Sequence, residues 1–95
     1  MSTYDLLPGE DAVAFFRRVY PELRRRTGAA FWLARRMGRR FSHVAGECRE
    51  PVPGPRRVSL GGNWVLFLAG GTSRETENIL LEKLRPVFQR HFSRE

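Results

Sequence analysis

The chain has a single cysteine, a single lysine and no run of apolar residues as long as a membrane span. One thiol, Cys48, cannot form an internal disulfide, which agrees with a reducing compartment and excludes thiol-rich metal sites. A spanning helix needs about 18 or more consecutive apolar residues, and the first residues lack the basic and then apolar order of a secretion signal. We therefore expect a soluble, cytoplasmic protein.

Residues that carry catalysis are scarce and poorly spaced. His43 and Cys48 are five positions apart, so they point to opposite faces of a strand and do not form a thiolate–imidazole pair. His43 and Glu47 share a face, but such a pair is more typical of a solvated surface. No glycine-rich phosphate loop, nucleophile elbow or histidine metal motif is present. We expect no enzyme activity, no cofactor and no bound metal.

The chain does have enough apolar material for one core. Its 95 residues are 41% hydrophobic and include seven phenylalanines. That size supports one core and is too small for two. We predict a single small α+β domain over residues 1–95.

Residues 12–37 keep one helical phase, with apolar side chains on one side and arginines on the other. Glu10 and Asp11 suit a helix start, and Gly38 suits a C-terminal cap. Pro21 and Gly28 interrupt the pattern. Two interpretations stay open: one kinked helix, or a pair of helices over about 10–20 and 21–37.

The pattern from Arg39 onward is typical of strands. It predicts a three-stranded antiparallel sheet with strands over about 40–48, 56–60 and 63–69. Gly61-Gly62 or Gly62-Asn63 supplies a tight hairpin turn. The third strand is apolar on both faces, which favours a central position and requires a second helix or a partner on its other face.

The chain closes with a predicted helix. Thr72 and Glu75 form a capping box at its start, and Pro86 is expected to kink it. Its buried stripe consists of apolar residues at helical spacing, namely Leu80, Leu84, Val87, Phe88 and Phe92. The predicted order is ααβββα, or αβββα if the first region is one helix.

The order αβββα resembles that of the double-stranded RNA-binding domain, most clearly over Arg56 to Leu84. That family carries lysines at the start of the last helix, where they reach the phosphates of the major groove. The corresponding residues here, 73–77, hold two acids and one base. We therefore treat the similarity as one of topology and assign no family.

The net charge of +7 is concentrated in residues 17–40, which hold nine arginines against one acid, Glu22. Arginine pairs bidentately with phosphate or carboxylate and stacks on flat rings. On a continuous helix, Trp32 lies among these arginines, where it would stack a base or anchor a protein partner. In the alternative, a break at Gly28 rotates the second segment and turns Trp32 into the core. The predicted binding residues form one basic helical ridge: Arg17, Arg18, Arg24, Arg25, Trp32, Arg35, Arg36, Arg39 and Arg40.

Two functional hypotheses follow. The first is a non-enzymatic module that binds nucleic acid through the arginine-rich helical face, without reading sequence. The alternative is an interaction subunit or homodimer that engages an acidic protein through the arginine face and the apolar third strand. A basic amphipathic helix also suits an anionic membrane surface, but its apolar face is needed for the core, so we expect no membrane insertion.

Overall fold

The computed structural model describes residues 3–46 and 54–93, without the side chains of 91–93. Six elements follow in chain order: helix α1 (Ala12–Thr27), strands β1 (Phe31–Met37), β2 (Arg40–Ala45), β3 (Arg56–Gly61) and β4 (Trp64–Leu68), and helix α2 (Arg74–Ser93). The strands form one antiparallel sheet in the order β2-β1-β4-β3. The α+β class is confirmed. The prediction of three strands was wrong, because the described part of the chain contains four.

Helix α1 runs without a break through Pro21 and ends where the long helical pattern was expected to continue. The Asp11 side chain caps its first turn by accepting a hydrogen bond from the Ala14 amide at 2.7 Å. Gly28 ends it in a left-handed conformation (φ 67°), and its N–H donates to the Arg24 carbonyl at 2.8 Å. Both interpretations of residues 12–37 extended the helical structure to Met37, and both were therefore wrong beyond Thr27.

Strand β1 occupies the segment that had been predicted to be helical. Phe31, Leu33 and Ala34 are all buried, and this spacing fits a helical face as well as an alternating strand. The aromatic pair Phe31-Trp32 favours extended backbone, and once Gly28 has ended the helix, tertiary pairing with β2 and β4 decides the conformation. The additional strand changes the order to αββββα, so the topological similarity to the double-stranded RNA-binding domain does not hold.

The remaining strands agree closely with the sequence pattern. Strand β2 lies within the predicted first strand, whose last positions, 47 and 48, lie outside the described residues. The β3–β4 hairpin turns at Gly62-Asn63, and Gly61 and Gly62 both have positive φ. Strand β4, the predicted third strand, lies between β1 and β3 and is central as expected.

Helix α2 begins one residue later than predicted. Ser73, rather than Thr72, caps it: the Ser73 hydroxyl accepts a hydrogen bond from the Thr76 amide at 3.1 Å. The helix continues through Pro86. Four residues of the predicted stripe are buried as expected, namely Leu80, Leu84, Val87 and Phe88; the side chain of Phe92 lies outside the described part. No helix in the described ranges is both long enough and apolar enough to cross a membrane.

Both helices pack on the same face of the sheet. Phe16 of α1 meets Phe31 of β1 edge to face at 6.1 Å between ring centres. Phe88 of α2 meets Trp64 of β4 at 5.6 Å. The core between helices and sheet also contains apolar residues from all parts of the fold: Phe15, Val19, Leu23, Leu33, Leu60, Leu66, Leu68, Leu80 and Leu84.

The opposite face carries no helix in the described part of the chain. Because side chains alternate along a strand, the pairing register assigns the residues of this face. We call it the open face; it consists of Trp32, Ala34, Arg36, Phe41, His43, Arg57, Ser59, Val65 and Phe67. We predicted that the central strand is covered on both faces. The two helices cover one of its faces, and no helix of the described residues covers the other.

Candidate nucleic-acid interface

Three aromatic rings form a cluster on the open face. Trp32 of β1 and Phe67 of β4 are directly paired across the two central strands, and their rings stack at 5.2 Å with an interplanar angle of 9°. Phe41, from edge strand β2, meets Phe67 at 5.3 Å with its ring nearly perpendicular. All three side chains are half-buried. We call these three residues the aromatic cluster.

Small side chains allow Phe41 to reach across the sheet. Phe41 is paired with Arg36 on β1, whereas Phe67 is paired with Trp32, four residues away on the same strand. The pair Ala34–Val65 lies between these two pairs on the open face. Ala34 and Val65 are only 1% and 3% exposed although they lie outside the main core. Because the Phe41 ring reaches Phe67, we expect it to extend over Ala34 and Val65 and to provide part of their cover.

Glycine is also required next to the cluster. Gly46 follows β2 with φ 94°, and a Cβ atom there would lie 3.0 Å from the Trp32 Cα. A larger residue would be strained at this φ and would press against the β1 backbone, which would have to shift by a few tenths of an ångström. Gly46 thus holds the end of β2 against the strand that carries Trp32.

Guanidinium groups flank the Phe41 ring of the aromatic cluster. Those of Arg36 and Arg57 lie 5.4 and 5.0 Å from the centre of the Phe41 ring, within the range of cation–π attraction. Arg39, in the β1–β2 turn, joins Arg36, Phe41 and Arg57 in lining an open groove of about 550 Å³.

These arginines lack acidic partners. Over residues 3–46 and 54–93, no carboxylate forms an ion pair with Arg36, Arg39 or Arg57. Their positive charges are therefore not neutralised by the described part of the fold. The groove presents three guanidinium groups to an anion from solution.

The structure brings together three of the nine predicted binding residues, namely Trp32, Arg36 and Arg39. Arg35 and Arg40 belong to the face that carries the helices, because they alternate with Arg36 and Phe41 along their strands. The other four, Arg17, Arg18, Arg24 and Arg25, belong to α1 on that same side. The predicted continuous ridge was wrong, since β1 separates its residues onto two faces.

Several arginines outside the open face are engaged within the protein. Arg18 forms two hydrogen bonds to the Glu10 carboxylate at 2.8 and 2.9 Å and also donates to the carbonyls of Thr3 and Asp5. These bonds raise the pKa of Arg18 and lower the pKa of Glu10. Arg18 thereby ties the N-terminal segment to α1.

Other predicted binding residues also have intramolecular partners. Arg24 donates to the Tyr20 hydroxyl at 3.0 Å, and it lies in the last turn of α1, where positive charge complements the helix dipole. The guanidinium of Arg35 lies 5.2 Å from the Trp64 ring. These contacts give the arginines structural roles that need no ligand.

Phe41, Phe67 and Arg57 were not among the predicted binding residues. The sequence did carry a signal for Phe67, because it lies on the second apolar face of the central strand. The sequence carried no such signal for Phe41 and Arg57. They lie on different strands, and their contact depends on the order of the strands in the sheet. Trp32 lies on strand β1 rather than on a helix, and it is half-buried on the open face instead of turning into the core between sheet and helices.

His43 is the one residue of the catalytic combinations considered from the sequence that the structure describes. His43 is exposed, and its Nε2 lies 2.7 Å from the Gly46 carbonyl oxygen, which suits an Nε2–H donor. The suggested neighbours Glu47 and Cys48 lie outside the described residues. Within those residues, no three His, Cys, Asp or Glu side chains are grouped to hold a metal ion.

Comparisons with known proteins add no further assignment. No protein-family model, curated protein or solved structure matches this chain.

Proposed function

We propose that this protein is a non-enzymatic nucleic-acid-binding module whose contact surface is the open face of the sheet. The observation that carries the proposal is the grouping of Arg36, Arg39 and Arg57 around Phe41 of the aromatic cluster, with no carboxylate among the described residues paired to them. Guanidinium forks bind phosphate oxygens bidentately, and aromatic rings stack on bases. The net charge of +7 adds a general attraction for a polyanion.

Contacts to phosphate predict binding that depends steeply on salt and only weakly on sequence. Each neutralised phosphate releases condensed counterions, so the logarithm of the association constant falls linearly with the logarithm of salt concentration. Three phosphate contacts correspond to a slope of about −2 to −3. Because the proposed contact surface is the open face, we assign this slope to Arg36, Arg39 and Arg57 rather than to the arginines of α1.

Adjacent arginines on β1 provide a matched experiment. Arg36→Gln removes a charge from the open face, whereas Arg35→Gln removes the same charge from the helix-covered face. Fluorescence anisotropy with a labelled oligonucleotide, titrated at several salt concentrations, gives the affinity and the slope. We expect Arg36→Gln to weaken binding and to reduce the slope by about one, and Arg35→Gln to leave the slope unchanged.

Two results would contradict the proposal. Absence of oligonucleotide binding by the wild-type protein at low salt would remove nucleic acid as the ligand. Equal losses for Arg35→Gln and Arg36→Gln would show that the charge acts without regard to face. A third variant, Arg24→Gln combined with Arg25→Gln, tests the helical surface directly and is expected to have a smaller effect than Arg36→Gln and Arg57→Gln combined.

An acidic protein is the second candidate ligand. Tryptophan and arginine are enriched at protein-interface hot spots, and Trp32 and Arg36 share the open face. Poly-glutamate carries charge without bases, so it separates the two candidates in a competition experiment. Displacement of the oligonucleotide by poly-glutamate at equal charge concentration would favour the protein partner, and weak displacement is expected for the nucleic-acid module.

A further inference from the structure

We infer that the open face binds single-stranded nucleic acid, with an unpaired base stacked on Trp32 and the adjoining phosphates held by Arg36, Arg39 and Arg57. This inference rests on the proposed function and specifies the substrate of the same site. It concerns unpaired bases, which both RNA and DNA strands present.

The Trp32–Phe67 pair is the start of a stack. The two rings are parallel within 9° and 5.2 Å apart, so Phe67 covers one face of the indole. Trp32 is only half-buried, and its other ring face is directed away from Phe67. A base stacked on that face would lengthen the stack by one ring, and stacking of a base on an aromatic side chain is tolerant of base identity.

Phe41 has a different role from Trp32. Its ring is nearly perpendicular to Phe67, so it does not extend the same stack. Its own ring lies within 5.4 Å of two guanidinium groups, those of Arg36 and Arg57. Phe41 therefore positions two cations on the same face as Trp32, where we expect them to meet phosphates further along a strand whose base is stacked on Trp32.

The spacing of these groups suits a short segment of single strand. Trp32 and Arg36 are four residues apart on β1, which corresponds to about 13 Å at 3.3 Å per residue. At about 3.4 Å between successive nucleotides, a stacked strand would cover this span with about four nucleotides. That footprint is at the small end of known single-strand sites.

A duplex satisfies only part of the site. Its phosphates are accessible to the three arginines, but its bases are paired and stacked on one another. Reaching the Trp32 ring would require a base to leave the stack, at a cost of a few kcal/mol. The aromatic cluster therefore favours strands whose bases are already free.

The experiment compares four ligands of equal length: oligouridylate, oligothymidylate, an abasic strand with the same phosphates, and a duplex. The protein carries Trp64→Phe, so that Trp32 is its only tryptophan and its fluorescence reports the stacking site. Circular dichroism and thermal melting check that this variant folds. We expect the strands with bases to quench Trp32 emission and to bind about 5- to 100-fold more tightly than the abasic strand, as stacking of one base predicts.

Variants of Trp32 separate stacking from a structural effect. Trp32→Leu is expected to lower the affinity for base-carrying strands to that of the abasic strand, while affinity for the abasic strand stays unchanged. Trp32→Phe keeps a flat ring and is expected to retain most of the affinity. Anisotropy of the labelled strands measures binding for both variants, with thermal melts confirming that each is folded.

The possible failures are distinguishable. Equal binding of abasic and base-carrying strands, tighter binding of the duplex, or equal losses for Trp32→Phe and Trp32→Leu would overturn the inference but leave phosphate binding, and with it the proposed function, in place. Absence of binding to all four ligands at low salt would overturn both. The inference is supported if either base-carrying strand binds more tightly than both the abasic strand and the duplex. Either strand suffices, because bases attached to ribose and to deoxyribose can both stack on Trp32.

Discussion

The guanidinium group of Arg57 lies 5.0 Å from the centre of the Phe41 ring, although the two residues belong to the two opposite edge strands of the sheet. They meet because the Phe41 ring extends from its edge strand to Phe67 on central strand β4, which is paired with β3. The contact connects both edges of the open face, and among the described residues no helix lies above it. The arrangement of rings and cations is therefore built by the sheet before any ligand binds.

Removing the Phe41 ring is expected to destabilise the fold. Phe→Ala in a fully buried position costs about 3–5 kcal/mol, and Phe41 is half-buried, so we expect a loss of about 1–2 kcal/mol in the free energy of unfolding. Urea denaturation measures this difference. Phe41→Leu is the control and should lose less, since it still covers part of Ala34 and Val65; unchanged stability for Phe41→Ala would mean that the ring does not cover them.

Arg56 and Arg57 are neighbours on β3 with different expected roles. Arg56 donates to the Thr72 carbonyl at 2.7 Å and pairs with the Glu77 carboxylate at 3.1 Å, and Glu77 is only 9% exposed. We expect Arg56→Gln to lower the free energy of unfolding by about 1–2 kcal/mol, because it leaves a buried carboxylate without its partner while part of the Arg56 side chain is in solvent.

Arg57→Gln should show the opposite pattern. It is expected to weaken oligonucleotide binding and reduce the salt slope by about one, with little change in stability. Paired measurements of unfolding by urea and of binding by anisotropy test both variants together. Loss of binding in Arg56→Gln with none in Arg57→Gln would place the ligand on the helix-covered side.

Acid sensitivity is expected to depend on Glu10. Hydrogen bonds from Arg18 lower the pKa of Glu10 below its ordinary value of 4.5. Such a group stabilises the folded state fully above the unfolded pKa, and this contribution is lost as the pH falls through the lower folded pKa.

Glu10→Gln removes this titration. Between about pH 6 and pH 3, the wild-type protein should therefore lose more free energy of unfolding than the variant. Glu82→Gln, an exposed position in α2, is the control and should follow the wild-type profile. Parallel curves for wild type and Glu10→Gln would show that the Arg18 contact does not stabilise the fold.

The end of α1 depends on the backbone of Gly28. Its φ of 67° is strained for any residue with a Cβ, yet no atom lies within 4 Å of where that Cβ would be. We expect Gly28→Ala to cost about 1 kcal/mol through backbone strain alone. Gly71→Ala also has open space and no positive φ, so it should be nearly neutral; thermal melts of the two variants make the comparison, and equal melting temperatures would contradict it.

The predicted elements that proved correct carried unambiguous local signals. Strands β3 and β4 flank the turn at Gly62-Asn63, and α2 keeps four buried residues at helical spacing. Segment 31–37 carried a conflicting signal, because alanine, leucine, methionine and arginine are good helix formers. Its strand conformation is decided by pairing with β2 and β4, which is a property of the whole sheet rather than of the segment.

The candidate site was predictable in composition but not in arrangement. Trp32 and Arg36 drew attention as a ring among cations, and they do share a face, through strand alternation rather than a helical turn. The contact of Phe41 with Arg57 requires knowledge of which strands form the edges and which small residues lie between them. No local pattern in the sequence contains that information.

The arginines of the open face also decide how its exposed rings behave toward a second copy of the chain. Joining two open faces would bring Arg36 and Arg57 of both copies into one apolar contact, and the described residues offer these cations no carboxylate there. Removing unpaired charges from water carries a large penalty. We therefore expect the cations that we propose as the polyanion contacts to oppose self-association through this surface.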